Sequence, residues 1–340
     1  MMWLTWRQFR AQIVVTFAAL GVLAIILAVT GPDLAHLYDT SGIATCKVNV
    51  NCATLVTRFL DKLSGIKSIL YFLGIGVLFA VPAIIGVFWG APLVAREIEA
   101  HTHRLAWNQS VTRTRWMAVK LAAIGLAAMA TAGLLSLMLT WWSSPIDRAV
   151  GLNPTHGISL IRVGPVLFDV RGITPIAYAA FAFALGVTAG VLIRRAIPAM
   201  AATLAGFAII QIAMPSLIRP YLIAPAHANV PLNPANIVGI RGSTVLATPS
   251  YTPRGGWILS SQVIDKAGHP FRGALTQACQ SGNFQVCQAS IVRLHLRQLI
   301  AYQPASQFWT FQWYETAIFL VLALLLAGVC FWWLRRPRVA

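Results

Sequence analysis

The chain has 340 residues, 58% of them hydrophobic and only 10% charged, a composition far from that of a soluble globular protein. Its 26 Lys and Arg against nine Asp and Glu give a formal charge of +17. Those bases are scattered between apolar runs rather than gathered in one aromatic-flanked stripe, which is the pattern of a membrane protein and excludes a nucleic-acid binder. No G-x-x-x-x-G-K-[ST] phosphate loop occurs and the dipeptide Gly-Lys is missing altogether, so ATP hydrolysis by that route is excluded for this chain alone.

Long uncharged runs predict six transmembrane helices, at 13–30, 69–89, 118–142, 173–193, 197–217 and 316–334. The first run exceeds the apolar region of a signal peptide and is read as a span. Six spans put residues 1–12 and the tail 335–340 on one side, with loop 90–117 and the Arg194-Arg195 turn. Together with interfacial Lys120 these segments hold 12 of the 26 Lys and Arg in roughly 50 residues, against 14 in roughly 160 on the other side. The positive-inside rule therefore makes the first side cytoplasmic and the chain a multi-pass protein of a cell membrane, with both termini inside.

The outer segment 31–68 carries Cys46 and Cys52. It also contains ATLVTRFLDKL, with Leu55, Phe59, Leu60 and Leu63 on one helical face. The second span is rich in Gly74, Gly76, Pro82, Gly86, Gly90 and Pro92, which permit close helix approach and a kink, either as ordinary packing or as a moving or dimer-lining helix. Segment 143–172 reads as an outer Pro/Gly-punctuated connection. Pro198 suits a helix first turn and Pro215 reads as a terminator.

Segment 218–312 is a large outer domain with Cys279 and Cys287. Within it VGIRGSTVLATPSY and GGWILSSQVID read as strands, and QASIVRLHLRQLIAY as a helix with Ile291, His295, Leu296, Leu299 and Ile300 on one side. Four outer cysteines permit three disulfide connectivities, of which the local pairs 46–52 and 279–287 are preferred; Cys330 reads as a buried, inert thiol. No Asp or Glu falls well inside a predicted span, and Lys120 lies near enough to an end to snorkel. That counts against an ion-coupled transporter or channel and favours a lipophilic or amphipathic cargo.

The inner loop is the most unusual passage. The chain has three glutamates and seven histidines, and two of each stand between Glu97 and His103. On a helix Glu97/His101 and Glu99/His103 are each i, i+4 pairs, but they face about 200° apart and no H-E-x-x-H motif is present, so no metal site is expected. A solvated loop is one reading. The other is a short helix along the inner membrane face, with Leu105 and Trp107 apolar, placed to pass a push from a soluble partner to two spans.

REIEAHTHRLAWNQSVTRTRWMAVKL resembles the loop between the second and third spans of ABC-2 type permeases, the membrane subunits of ATP-binding-cassette exporters. The E-x-E pair is Glu97 and Glu99, the Thr is Thr102, the basic stretch is Thr112–Arg115 and the Lys opening the third span is Lys120. His101 replaces the family's usual Gly, and the proline before the basic stretch is missing. MMWLTWRQFRAQ, FDVRGITPIAYAAFAFALGVTAGVLIRRAIPAM and YQPASQFWTFQWYETAIFLVLALLLAGVCFWWLRR also resemble blocks of the actinobacterial permeases.

The resemblance implies an all-α polytopic membrane protein with six transmembrane helices, an N-terminal amphipathic elbow helix at 1–12 and mixed α/β outer insertions. In the elbow, Trp3 and Trp6 would lie in lipid, with Arg7 and Arg10 near phosphates. It implies a non-enzymatic permease subunit that binds no cofactor, ATP and Mg being held by two cytoplasmic ATP-binding subunits, and a second permease, expected as a homodimer. Arg96, Glu97, Glu99, His101, Thr102, His103 and Arg104 would form the ATPase-coupling segment. The alternatives are an ABC-linked sensor or immunity protein whose outer domain binds a peptide or lipid, and a metal-dependent membrane enzyme.

Overall fold

The structure is a computed structural model and describes residues 2–46, 52–63, 65–99, 112–152, 160–241, 244–251, 253–272 and 284–335. Six of its helices are long and apolar enough to cross a membrane: Arg10–Thr40, Ile66–Glu97, Thr114–Leu152, Thr174–Ile193, Ala196–Leu222 and Ala305–Trp333. They are numbered here as the first to sixth spans. All but the fourth extend well beyond the ends set by hydropathy. At those ends Asp147, Arg219 and Glu315 are helical and buried in pairs, so the helix does not stop where the apolar run does.

Residues 2–12, expected as an elbow, are the opening turns of the same unbroken helix, Met2–Thr40, that forms the first span. Pro215 does not terminate the fifth span. The helix passes through a π turn, Met214–Ile218, and continues to Leu222. Likewise the third span runs through Pro145 to Leu152, into the segment expected as a connection.

The fourth span is the centre of the bundle, packing against the second, third, fifth and sixth. Alanine and glycine make this close approach feasible. The second span carries a π turn, Ile85–Gly90, and there its backbone meets the fourth. A Cβ on Gly186 would lie 2.2 Å from the Gly86 carbonyl oxygen, and one on Gly190 2.4 Å from that of Ala91. Conversely, a Cβ on Gly90 would lie 2.6 Å from the Phe183 carbonyl oxygen. Gly86 and Gly90 of the second span are therefore used within the chain, against another small-xxx-small helix.

On the side opposite the termini, Cys46 and Cys52 form a disulfide and lead into the helix Ala53–Asp61, which buries Val56 and Phe59. Between the fifth and sixth spans the chain builds a domain with an antiparallel sheet of order β1-β5-β4: β1 Ala226–Pro231, β4 Trp257–Ile264 and β5 Arg297–Gln303. A hairpin, β2 Ile237–Arg241 with β3 Thr244–Ala247, and the helix Phe284–Arg293 cover it. Ile237, Val245, Val263, Cys287, Ile291 and Leu296 form its core.

QASIVRLHLRQLIAY, expected as one helix, divides. Helix ends at Arg293, His295 adopts a left-handed φ of 51°, and Arg297–Gln303 becomes the central strand. The buried positions of that strand are Gln298, Ile300 and Gln303, so two glutamines sit where a strand pattern calls for apolar residues. Cys287 is disulfide-bonded, whereas Cys279 lies outside the described residues. Cys330 is a free, buried thiol beside Thr188 of the fourth span.

Candidate transport machinery

The two ends of the bundle carry its polar machinery. On the domain side, the connection 160–173 ends in FDVRGI (168–173), whose residues 168–171 are buried, and Asp169 and Arg171, two positions apart, join different clusters. Arg171 meets Asp147 of the third span, Nε to Oδ2 at 2.8 Å and Nη2 to Oδ1 at 3.4 Å. The Tyr71 hydroxyl of the second span donates to Asp147 Oδ1 at 2.9 Å, and Ser143 Oγ to Oδ2 at 3.1 Å. Both ions are buried, and the pair is neutral.

The second cluster centres on Arg219 of the fifth span, which is fully buried. Its Nε and Nη2 hold Glu315 of the sixth span bidentately, both at 2.8 Å, and Nη2 also contacts Asp169. The guanidinium lies 4.1 Å from the Phe168 ring centroid, and its Nη1 has no hydrogen-bond partner among the described residues. Tyr178 of the fourth span places its hydroxyl against Glu315 and 3.1 Å from Asp169 Oδ1, while Gln211 donates to Asp169 Oδ2 at 3.1 Å.

Two carboxyl groups thus share one guanidinium. A tyrosine hydroxyl has a single proton to offer two acceptors, so the arrangement closes when one carboxyl keeps its own proton. Burial pushes the Asp169 carboxyl up to about 7, with Arg219 drawing it down and Glu315 adding to the rise.

Gln312, also fully buried, locks the same corner. Its Oε1 accepts from the Ile173 and Thr174 amides at 2.9 and 3.0 Å and from Thr174 Oγ1 at 2.6 Å, capping the otherwise unpaired N–H groups at the start of the fourth span. Its Nε2 donates to the Phe168 and Arg171 carbonyls. Gly172, at φ 70°, lies so close that a Cβ would meet Gln312 Oε1 at 2.7 Å; only glycine satisfies both demands. Through Asp169, Arg171 and Gln312 the 160–173 segment ties together every span except the first.

At the opposite end the second span finishes with Arg96 and Glu99 exposed and Glu97 turned onto Lys120 of the third span. Lys120 is only 3% exposed and packs 4.4 Å from the Trp116 ring centroid, so it does not snorkel; an internal carboxylate satisfies it instead. Of the other expected coupling residues, His101, Thr102, His103 and Arg104 lie outside the described residues. Arg10 is exposed on the first helix; the side chains of Trp3, Trp6 and Arg7 are outside the description.

Asp147 and Glu315 lie outside the apolar runs set by hydropathy, but the longer helices of the third and sixth spans include them. The missed signal was scarcity: with only nine acidic residues in 340, three of them sit beside span ends, near Arg171 and Arg219. Nothing in the sequence singled out Gln312 or Tyr178.

Six apolar helices, four of them packed on the buried fourth span, with ion pairs at both ends of the bundle, define a helical polytopic membrane protein. The chain belongs to the family described as ABC-2 membrane transporter related, which it matches over residues 17–219. It is thus an ABC-2 type permease, a membrane subunit of a transporter with no ATPase of its own. The match runs through the first five spans to Arg219 and leaves out the domain and the sixth span. No curated protein and no solved structure matches the chain.

Proposed function

We propose that this permease is the membrane half of an exporter that moves a lipophilic or amphipathic substrate outward, driven by two cytoplasmic ATP-binding subunits that hold ATP and Mg. Its termini and loop 90–117 are cytoplasmic and its domain is extracytoplasmic, in a bacterial cell membrane, and a second copy completes the pathway. Arg96–Arg104 is the coupling segment, in which His101, Thr102, His103 and Arg104 stand beside Arg96 and Glu99 as the surface presented to the ATPase.

The observation that carries this reading is the Glu97–Lys120 bridge. It clamps the second span to the third at the point where both leave the intervening loop, so one push on the loop moves two helices together. Glu97 therefore serves the clamp, and docking falls to the exposed Arg96 and Glu99.

The test is co-expression with the cytoplasmic ATPase, followed by purification through this chain. Arg96→Ala plus Glu99→Ala is expected to reduce co-purification and permease-stimulated ATP turnover severalfold. Glu97→Gln plus Lys120→Met is expected to retain co-purification but lose the stimulation. Wild-type behaviour from both variants would sink the coupling role. A sensor or immunity function is the second reading, favoured by the folded domain between the fifth and sixth spans.

A further inference from the structure

The domain between the fifth and sixth spans has a charge and a cavity that transport through the bundle does not use. Residues 223–304 contain six Lys and Arg against a single carboxylate, Asp265. A cavity of about 520 Å³ opens between the hairpin, the helix Phe284–Arg293 and the start of β5. That is within the roughly 300–1,000 Å³ of small-molecule sites.

Its floor is apolar: Ile237, Ile291 and Leu296 are buried there, with Leu232 beside them. Its rim is cationic or basic, formed by Lys266, His295 and Arg297, all exposed. Asp265 is not part of the lining; its Oδ1 accepts from the Ala267 and His269 amides, both at 2.9 Å.

Two rim groups are held in place. Arg297 Nε donates to Asn229 Oδ1 at 2.7 Å and Nη2 to the Asn229 carbonyl at 3.0 Å, which fixes the guanidinium. His295 is presented from a left-handed backbone at φ 51°, a conformation that costs a non-glycine residue about 1–2 kcal/mol and recurs at ligand-holding positions. Its Nδ1 lies 2.8 Å from the Arg293 carbonyl oxygen; with Nδ1 donating there, Nε2 holds an anion as an N–H donor in the imidazolium form.

We infer that this cavity binds a small amphipathic anion, an apolar chain headed by a carboxylate or phosphate, with the chain on the Ile237–Ile291–Leu296 floor and the head between Lys266, His295 and Arg297. The position favours a ligand taken from water. β5 runs from Arg297 at the cavity to Gln303, whose side chain donates to the Ile223 carbonyl just past the fifth span. Seven residues of strand therefore put the cavity about 20 Å from the membrane end of the sheet, beyond the reach of a lipid still seated in the bilayer. This goes beyond the permease reading, and it gives the second reading a ligand class.

The test uses the full chain in phosphatidylcholine nanodiscs without any ATPase, so its failure leaves the coupling proposal untouched. Binding of ¹⁹F-labelled decanoate and decyl phosphate is followed by fluorine NMR, with empty discs as the partition control. At least one of the two is expected to saturate a single site, and which one does so identifies the head group. Decyltrimethylammonium and inorganic phosphate should not compete.

Lys266→Glu and His295→Gly should each weaken binding about tenfold or more, the range of one charge-assisted hydrogen bond. His295→Gly also relieves the left-handed backbone, so its thermal stability should equal or exceed wild type while affinity falls. Wild-type affinity in both variants, equal binding of the decyl cation, or full competition by inorganic phosphate would overturn the inference.

Discussion

Replacing Arg219 by Leu tests the domain-side cluster most directly. The guanidinium is fully buried and makes two 2.8 Å bonds to Glu315 and one contact to Asp169. Removing it leaves two carboxyl groups facing each other with Tyr178 and Gln211 as the donors among the described residues. Breaking a buried ion pair from one side costs about 3–5 kcal/mol, so the folding equilibrium should fall by roughly two to three and a half powers of ten.

If the loss comes from uncompensated charge rather than from lost packing, then Arg219→Leu combined with Asp169→Asn and Glu315→Gln should recover most of it, since neutral isosteres of a buried ionic triad are tolerated. The assay is equilibrium unfolding by SDS in mixed micelles, followed by circular dichroism, for the single and triple variants side by side. An Arg219→Leu protein within about 1 kcal/mol of wild type, or a triple variant no more stable than the single one, would refute the assignment of the cluster as charge-bound.

Asp169 gives a pH prediction. Its folded carboxyl titrates at about 7 against an ordinary 3.8, so the folded state binds more protons between those values and loses stability as pH rises from about 4 to 7. Asp169→Asn should flatten that slope in unfolding curves taken across the window. Gly186→Ala, whose Cβ would lie 2.2 Å from the Gly86 carbonyl oxygen, should cost at least about 1–3 kcal/mol and lower the yield of folded protein. Gly76→Ala, with nothing within 4 Å, should be neutral or slightly stabilising in the same thermal-shift measurement. Lys120→Met should destabilise by about 1–3 kcal/mol because it strips Glu97 of its buried partner, and adding Glu97→Gln should restore much of the loss.

Hydropathy made the six spans legible, because a bilayer asks for length and apolarity and little else. It failed at their ends. A charged residue reads as solvent-exposed unless its partner is known, and the partners of Asp147, Asp169 and Glu315 come from other segments, 24, 50 and 96 positions away in sequence. Pairing at that range leaves no local pattern.

The domain shows the same limit in another form. Leu296, Leu299 and Ile300 fit a helical stripe as well as a strand, and Gln298 and Gln303 mask the alternation that would have decided it. Local pairing of Cys46 with Cys52 was readable, since six residues of separation fit the 6.2 Å between their Cα atoms. Glu97 illustrates a partial reading. Its position between two spans suggested a coupling role, but its ion-pair partner, Lys120, emerged only from the packing of the third span.

The glycine seam between the second and fourth spans bears on how far a local disturbance can spread. Where side chains meet, a small displacement is absorbed by rotamer changes; where Gly86 and Ala91 carbonyls rest on Gly186 and Gly190, no rotamers exist to yield. Those two helices therefore behave as a single stiff beam. One end of the beam carries Glu97 and the other bears Tyr178, so the Glu97–Lys120 bridge and the acidic cluster belong to one rigid unit, about five turns of helix apart.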